Sequence, residues 1–552
     1  MIPPKAPHKN KAKAATSKYG MVSTASRKAT EAGVKMLEKG GNAVDAAAAS
    51  AFCLSVTEPQ ASGLGGQSMI FLYLKDSGNA VCLDGSSRAP FSIKYDSLPK
   101  EPLKVGITST TLPSTPAVLG YLLEKYGKLT LEEVLEPAVE AAREGFKLTS
   151  LQHTLLEKEK DKLRKDPLVL KNFFREGHSL RAGQLVIQPE LADCLERMAK
   201  FGWHDFYQGE IAQKIVKDME QRGGLISQLD LSRIPLPVER APLEATYRGK
   251  KLLTFPPPGA GRALVQILNI LENFTPEELI PGSVSACIIM ALAFRATLRS
   301  RQRLPVDPAL YLQMPNKLML DKGYAREIAE NMQTFIDKTM PCYFTPPETS
   351  GETTHLSVAD AAGNVVGITQ SIELVFGSKT AAQGLGFFYN NYMSAFNYKD
   401  ITHPYYLLPG AKPWSTVAPT LIFEENKPRL ILGSPGSERI STSLAQVISR
   451  IFDAGQDLAE AIDGPRLHAS SGGKVQIELK RFSSEALETL KQAGFEITKR
   501  GAYSFYLGCV QAVKLPLSPE EPFTGISDPR RDGSALGPIN LGEINNENSH
   551  HL

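Results

Sequence analysis

Gly351-Glu352-Thr353-Thr354-His355-Leu356-Ser357-Val358-Ala359-Asp360 reads as a strand in which Leu356 and Val358 alternate with polar neighbours. Gly363-Asn364 then turns the chain, and Val365-Val366-Gly367-Ile368-Thr369 returns it as the second arm of a hairpin. The place of Thr353 gives this hairpin its chemical interest. Cutting the Glu352–Thr353 bond would make Thr353 a new N-terminus, with a hydroxyl nucleophile and a free α-amine on one residue. Such an amine is one of the bases that activate a weak hydroxyl nucleophile. Without the cut, Thr353 is an ordinary β-branched strand residue.

A hydroxyl nucleophile also needs an oxyanion site and a substrate clamp. Thr420–Phe423 and Leu430–Leu432 form a second hairpin through Asn426-Lys427-Pro428. After it, Gly433-Ser434-Pro435-Gly436-Ser437 leads into an amphipathic helix with Leu444, Val447, Ile448 and Ile451 on one face. A turn at a helix start presents backbone N–H groups and the positive end of the helix dipole. The Gly436 and Ser437 amides are therefore candidates for holding a developing oxyanion. Ser371 lies two residues beyond Thr369, so the two share a strand face, and either hydroxyl is a candidate to hold the new amine. Singly these features are commonplace; their order along the chain carries the reading.

Further out, Ala29, Ala32, Gly33, Met36 and Leu37 mark one apolar helix face, closed by Gly40-Gly41. An alanine-rich helix follows from Asn42 to Val56, and a glycine-rich turn, Gly63 to Gly66, enters the strand Met69–Leu74. That turn precedes a strand and does not join a strand to a helix, so it is not a phosphate loop. Residues 131 to about 336 read as mostly helical, with Pro256-Pro257-Pro258-Gly259-Ala260-Gly261 taken as a surface linker. Strands and helices in this mixture suggest sheets covered by helices.

The chain has 552 residues, 42% hydrophobic and 22% charged, ordinary values for a globular protein with a large core. A net charge of +3 gives no support for a nucleic-acid or membrane partner. No apolar run approaches the ~20 residues of a membrane span; Ala286 to Phe294 is at most a buried helix. Residues 1–20 carry five lysines and no acid, and read as a disordered basic leader with no apolar signal region. Six scattered cysteines without CxxC spacing point to reduced thiols in a cytoplasm. The histidines show no metal-ligand spacing, so neither a metal nor a cofactor is expected.

The chain resembles the γ-glutamyltranspeptidase (glutathione hydrolase) family of N-terminal-nucleophile hydrolases. The motifs that carry the resemblance run from Gly40-Gly41-Asn42-Ala43-Val44-Asp45 and Glu58-Pro59 through Phe206-Tyr207-Gln208-Gly209. They continue with Thr353-Thr354-His355, Phe376-Gly377, Asn390-Asn391, Gly433-Ser434-Pro435-Gly436 and Asp528-Pro529-Arg530. The resemblance implies an α+β fold, a four-layer αββα sandwich made as one precursor. Self-cleavage would give a large subunit, residues 21–352 after the leader, and a small subunit, 353–552. Thr353 would then take the acyl group from a γ-glutamyl amide and pass it to water or an amine. The implied product is an αβ heterodimer acting on a small molecule, with further pairing of heterodimers left open.

The family's substrate clamp is only partly present. The arginine that holds the glutamyl carboxylate aligns with Ser86, and Arg88, two residues on, is the candidate replacement. The Ser-Ser pair matches Ser415-Thr416, and the residue gripping the α-amino group matches Glu373. The aspartate that pairs with the same ammonium is Ala395, a glutamine becomes Tyr392, and the segment from Phe396 to Lys412 is short. These departures open two alternatives to γ-glutamyl hydrolysis: a glutaryl- or cephalosporin-acylase-like hydrolase, and an unprocessed, non-catalytic scaffold.

Overall fold

The computed structural model describes residues 12–93, 101–308, 310, 317–332 and 351–539. The Thr353 strand, Gly351–Asp360, is buried along all ten residues and is central to a seven-stranded antiparallel sheet. Gly20–Thr24 flanks it on one side and Val365–Leu374 on the other, with Gln67–Leu74 and Asn79–Gly85 beyond. A second seven-stranded antiparallel sheet holds the hairpin Thr420–Glu424/Lys427–Gly433, flanked by Gln511–Lys514 and Lys250–Thr254.

Side-chain alternation assigns the layers. Met21, Phe71, Ala359, Leu421 and Ile431 pack between the two sheets. Leu356, Val358 and Ile368 face a helical layer outside the first sheet, and Leu430, Leu432 and Ile422 face another outside the second. The result is the expected α+β four-layer αββα sandwich.

The helices expected at the N-terminus lie at Arg27–Glu38 and Ala43–Thr57. The second is buried at all fifteen positions, and Asn42 and Asp45 close a capping box at its start. Its alanines allow the close approach to the first sheet. The Asp360 carboxylate both holds the Asn364 turn and accepts from the Ala43 amide at 2.9 Å, tying the hairpin to that helix N-terminus.

Three expectations are corrected. The leader is not disordered throughout, because Lys13–Ser17 forms an edge strand against Phe523–Ser527; residues 1–11 lie outside the described residues, as does Cys342. Residues 256–261 are not a surface linker. They are buried, and Ala260 N–H donates to the Val417 carbonyl at 2.8 Å. The mostly helical middle third also holds the short strands Val238–Arg240, Leu243–Tyr247 and Lys250–Thr254. The turn joining the last two has Arg248 and Gly249 both at positive φ, a geometry matched to strand twist.

Candidate active site

Gly20–Thr24 pairs with the Thr353 strand only from Leu356 to Asp360, and the end that carries Thr353 borders a cavity of about 430 Å³. On the other side the ladder is irregular. Glu352 pairs with Glu373 and Thr354 with Gln370, so Ser371 and Ile372 both oppose Thr353. This bulge turns Ser371 toward the Glu352–Thr353 bond. Ser371 Oγ donates to the Glu352 carbonyl at 2.7 Å, and accepts from Thr353 Oγ1 at 3.3 Å and from Glu373 N–H at 2.9 Å.

The opposite face of the strand is anchored by buried charge. Arg531 lies 2.5 Å from the Glu352 carboxylate and 3.5 Å from that of Glu58, and Thr354 Oγ1 donates to Glu58 at 2.5 Å. Burial pushes the Glu352 and Glu58 carboxyls up, and Arg531 opposes this. Burial also works against the guanidinium, but the two carboxylates outweigh it and hold Arg531 above its ordinary value. The peptide bond next to Thr353 is thus held from both faces of the strand.

Thr369 does not join this group. One rung further along the ladder, its hydroxyl lies 2.8 Å from His355 Nδ1, while His355 Nε2 lies 3.1 Å from Ser357 Oγ. Burial pushes the His355 imidazole down to about 3, so it is neutral and serves as packing. Of the two candidate hydroxyls, only Ser371 reaches Thr353.

The turn after Gly433 approaches from the second sheet. Gly436 and Ser437 have φ of +123° and +54°, two successive residues in the region that favours glycine. Neither amide donates to another described residue. Ser437 lines the cavity near Gly351, where an added Cβ would come within 3.0 Å of Ser437 Cβ; Gly436 sits behind it, against Gly508. The helix Arg439–Phe452 begins immediately afterwards.

Glu373, Tyr392, Ala395, Ser415 and Thr416 all line the cavity. Burial pushes the Glu373 carboxyl up to about 7, against the pull of Arg439. Burial also raises the Tyr392 phenol, next to Glu373, and this phenol bonds with Ser371 and Gln67. Arg88 is the exception. It does not line the cavity; its carbonyl accepts from Leu112 N–H in an isolated bridge. Ser86 is turned away as well, donating at 2.6 Å to Asp84, whose carboxylate also takes Arg240 and Lys412 at 2.8 Å each.

The cavity brings in residues that sequence reasoning missed. Lys104, Arg301, Arg439 and Lys474 supply four cations against the carboxyl groups of Glu373 and Glu438. Arg439 follows Ser437 by two residues and Trp414 directly precedes Ser415, so both had a local signal. Arg301 had none, being one of four arginines between positions 295 and 303. Among the described residues no group of three His, Cys, Asp or Glu side chains is placed to hold a metal, and no helix is long and apolar enough to cross a membrane.

A four-layer αββα sandwich with a threonine at the cavity end of a central strand defines an N-terminal-nucleophile hydrolase. Residues 29–537 match the sequence family described as gamma-glutamyltranspeptidase, and the chain belongs to that family. It is 34% identical over 539 residues to the glutathione hydrolase proenzyme of Escherichia coli K12, covering 93% of this chain and 91% of that protein. It is 32% identical over 541 residues to the acylase ACY 1 proenzyme of Pseudomonas sp. V22, covering 95% and 94%. Among solved structures, the cephalosporin acylase of Bacillus halodurans superposes with a TM-score of 0.85 at 26% identity, covering 98% of this chain and 100% of that one. The protein is accordingly an enzyme, a γ-glutamyltransferase- and glutathione hydrolase-like amidohydrolase.

Proposed function

We propose that the chain cuts itself between Glu352 and Thr353, and that Thr353 is then the catalytic nucleophile. The carrying observation is the path Thr353 Oγ1–H to Ser371 Oγ and Ser371 Oγ–H to the Glu352 carbonyl. In the precursor, Thr353 Oγ adds to the Glu352 carbonyl carbon, which Ser371 polarises. The C–N bond breaks, the threonine nitrogen gains the hydroxyl proton, and water opens the resulting ester. Glu352 is left as a C-terminal carboxylate and Thr353 as a free amine.

In turnover, that amine takes the Thr353 hydroxyl proton while Oγ attacks the substrate amide carbon. The Gly436 and Ser437 amides are suited to hold the oxyanion; removing one such donor typically costs about 3–4 kcal/mol of transition-state stabilisation. The leaving amine departs with a proton, and water or an amine acceptor takes the acyl group from Thr353.

For the acyl group we propose a dicarboxylic half-amide of the glutaryl type in preference to γ-glutamyl. Ala395 offers no carboxylate to a substrate ammonium, and the cavity holds four cations to two carboxyl groups. The similarity to proteins named as acylases favours the same choice. We also propose a cytoplasmic location, since the five described cysteines are buried free thiols, the state a reducing compartment maintains.

Mass spectrometry of the incubated protein tests the cut. Fragments ending at Glu352 and beginning at Thr353 are expected, while Thr353→Ala stays one chain. A wild-type chain that remains whole for days would make it a scaffold. Hydrolysis of matched anilides tests the acyl choice, and a strong preference for γ-glutamyl over glutaryl would overturn it.

A further inference from the structure

We propose that Arg301, seated on Trp414 beside Ser415 and Thr416, is the anchor for the distal carboxylate of the acyl group. It would take over a task for which Ser86 and Arg88 are misplaced. The inference rests on the acyl-transfer reading above and names its specificity residue.

Arg301 lies in the last turn of the helix Val284–Arg303 and is buried where it meets the cavity. Two contacts fix its guanidinium before any ligand arrives. One nitrogen donates to the Ser415 carbonyl, which places the charge directly at the Ser415-Thr416 wall. One face lies on the Trp414 ring, 4.5 Å from its centroid. Trp414 is in turn stacked on Tyr405 at 5.2 Å, and the Tyr405 hydroxyl donates to the Val306 carbonyl at 2.6 Å. A guanidinium has five N–H donors in a planar fork that suits a carboxylate, and the Ser415 carbonyl uses only part of that set. A ligand carboxylate bonded to the Ser415 and Thr416 hydroxyls would meet it in place.

The other buried arginine of the cavity is committed elsewhere. Arg439 Nε donates to the Tyr506 carbonyl, its guanidinium lies 4.1 Å from the Tyr506 ring centre, and its charge acts on Glu352 and Glu373, while it shares Glu438 with Arg301. It therefore serves the Thr353 end of the cavity. Ser86 and Arg88 are held outside by Asp84 and by the Leu112 bridge.

The test compares wild type, R301Q, R301K and K104Q on glutaryl and butyryl p-nitroanilides, which differ in the terminal carboxylate. R301Q is expected to lower kcat/KM for the glutaryl compound by about 10- to 100-fold. Its butyryl activity should stay within about threefold, and R301K should recover part of the glutaryl loss. Self-cleavage and melting midpoint report whether each variant folds. Binding is read separately: glutarate should raise the melting midpoint of wild type and not of R301Q. Equal losses on both anilides in R301Q, a glutaryl loss confined to K104Q, or equal or absent glutarate stabilisation in wild type and R301Q would each overturn the assignment. Glutarate binding that depends on Arg301 in a protein that hydrolyses neither anilide would sink the glutaryl acyl-transfer reading and leave the anchor standing.

Discussion

Glu373 stands at φ +80° on the cavity wall, with its carboxyl pushed up to about 7 by burial. Below that pH it is neutral, and above it an anion facing the acyl pocket. An ionised Glu373 attracts a substrate ammonium and repels a substrate carboxylate. KM for a γ-glutamyl anilide is therefore expected to fall between pH 6 and 8, while KM for a glutaryl anilide rises. Glu373→Gln should flatten both profiles. At the proposed nucleophile, Thr353→Ser retains the hydroxyl and should still cut itself, visibly on a denaturing gel. Thr353, Ser371 and Ser437 were legible because they sit in short motifs with a chemical logic. Arg88 was misread because sequence distance from Ser86 says nothing about the cavity, and the bridge to Leu112 takes that segment elsewhere.

The hairpin that carries Thr353 has an unusual inner face. Alternation of apolar and polar residues ordinarily marks a strand with one wet side. Here the polar set faces inward, between the sheets. His355 bonds both Thr369 and Ser357, and Ser357 donates to the Gln511 carbonyl at 3.1 Å. The opposing strand makes room with Gly433, where an added Cβ would lie 2.2 Å from the His355 ring. Gly433→Ala is expected to cost about 1–3 kcal/mol of stability by overpacking, read as a lower urea midpoint, and to slow self-cleavage. The hairpin was legible from alternation and its Gly363-Asn364 turn. The bulge at Ser371 was not, because it depends on how ten-residue strands pair, and local sequence does not report register.

Residues on the two sides of the Glu352–Thr353 bond are interleaved in both sheets. In the first, Gly20–Thr24 and Gln67–Leu74 enclose the hairpin that follows the cut. In the second, Lys250–Thr254 pairs with Thr420–Glu424, and Lys13–Ser17 with Phe523–Ser527. The cut form is thus expected to stay together on size exclusion and to melt in one transition. Residues 353–552 expressed alone should give no cooperative unfolding, since their strands lack partners and their cores lack walls. A cut before residue 353 would therefore break covalent continuity alone, with both segments sharing the layers of one sandwich.

What the sequence by itself determined is local. Helix faces, capping residues and the two hairpins, with Thr353 on the first arm of one of them, are set by periodicity and turn chemistry within about ten residues. Tertiary structure alone decided which charges meet. Arg301 reaches Ser415 across 114 positions and Arg531 reaches Glu352 across 179, brought together by helices and strands that pack for apolar reasons. A buried guanidinium carries no mark in its own neighbourhood of sequence, because its partners are supplied by the fold.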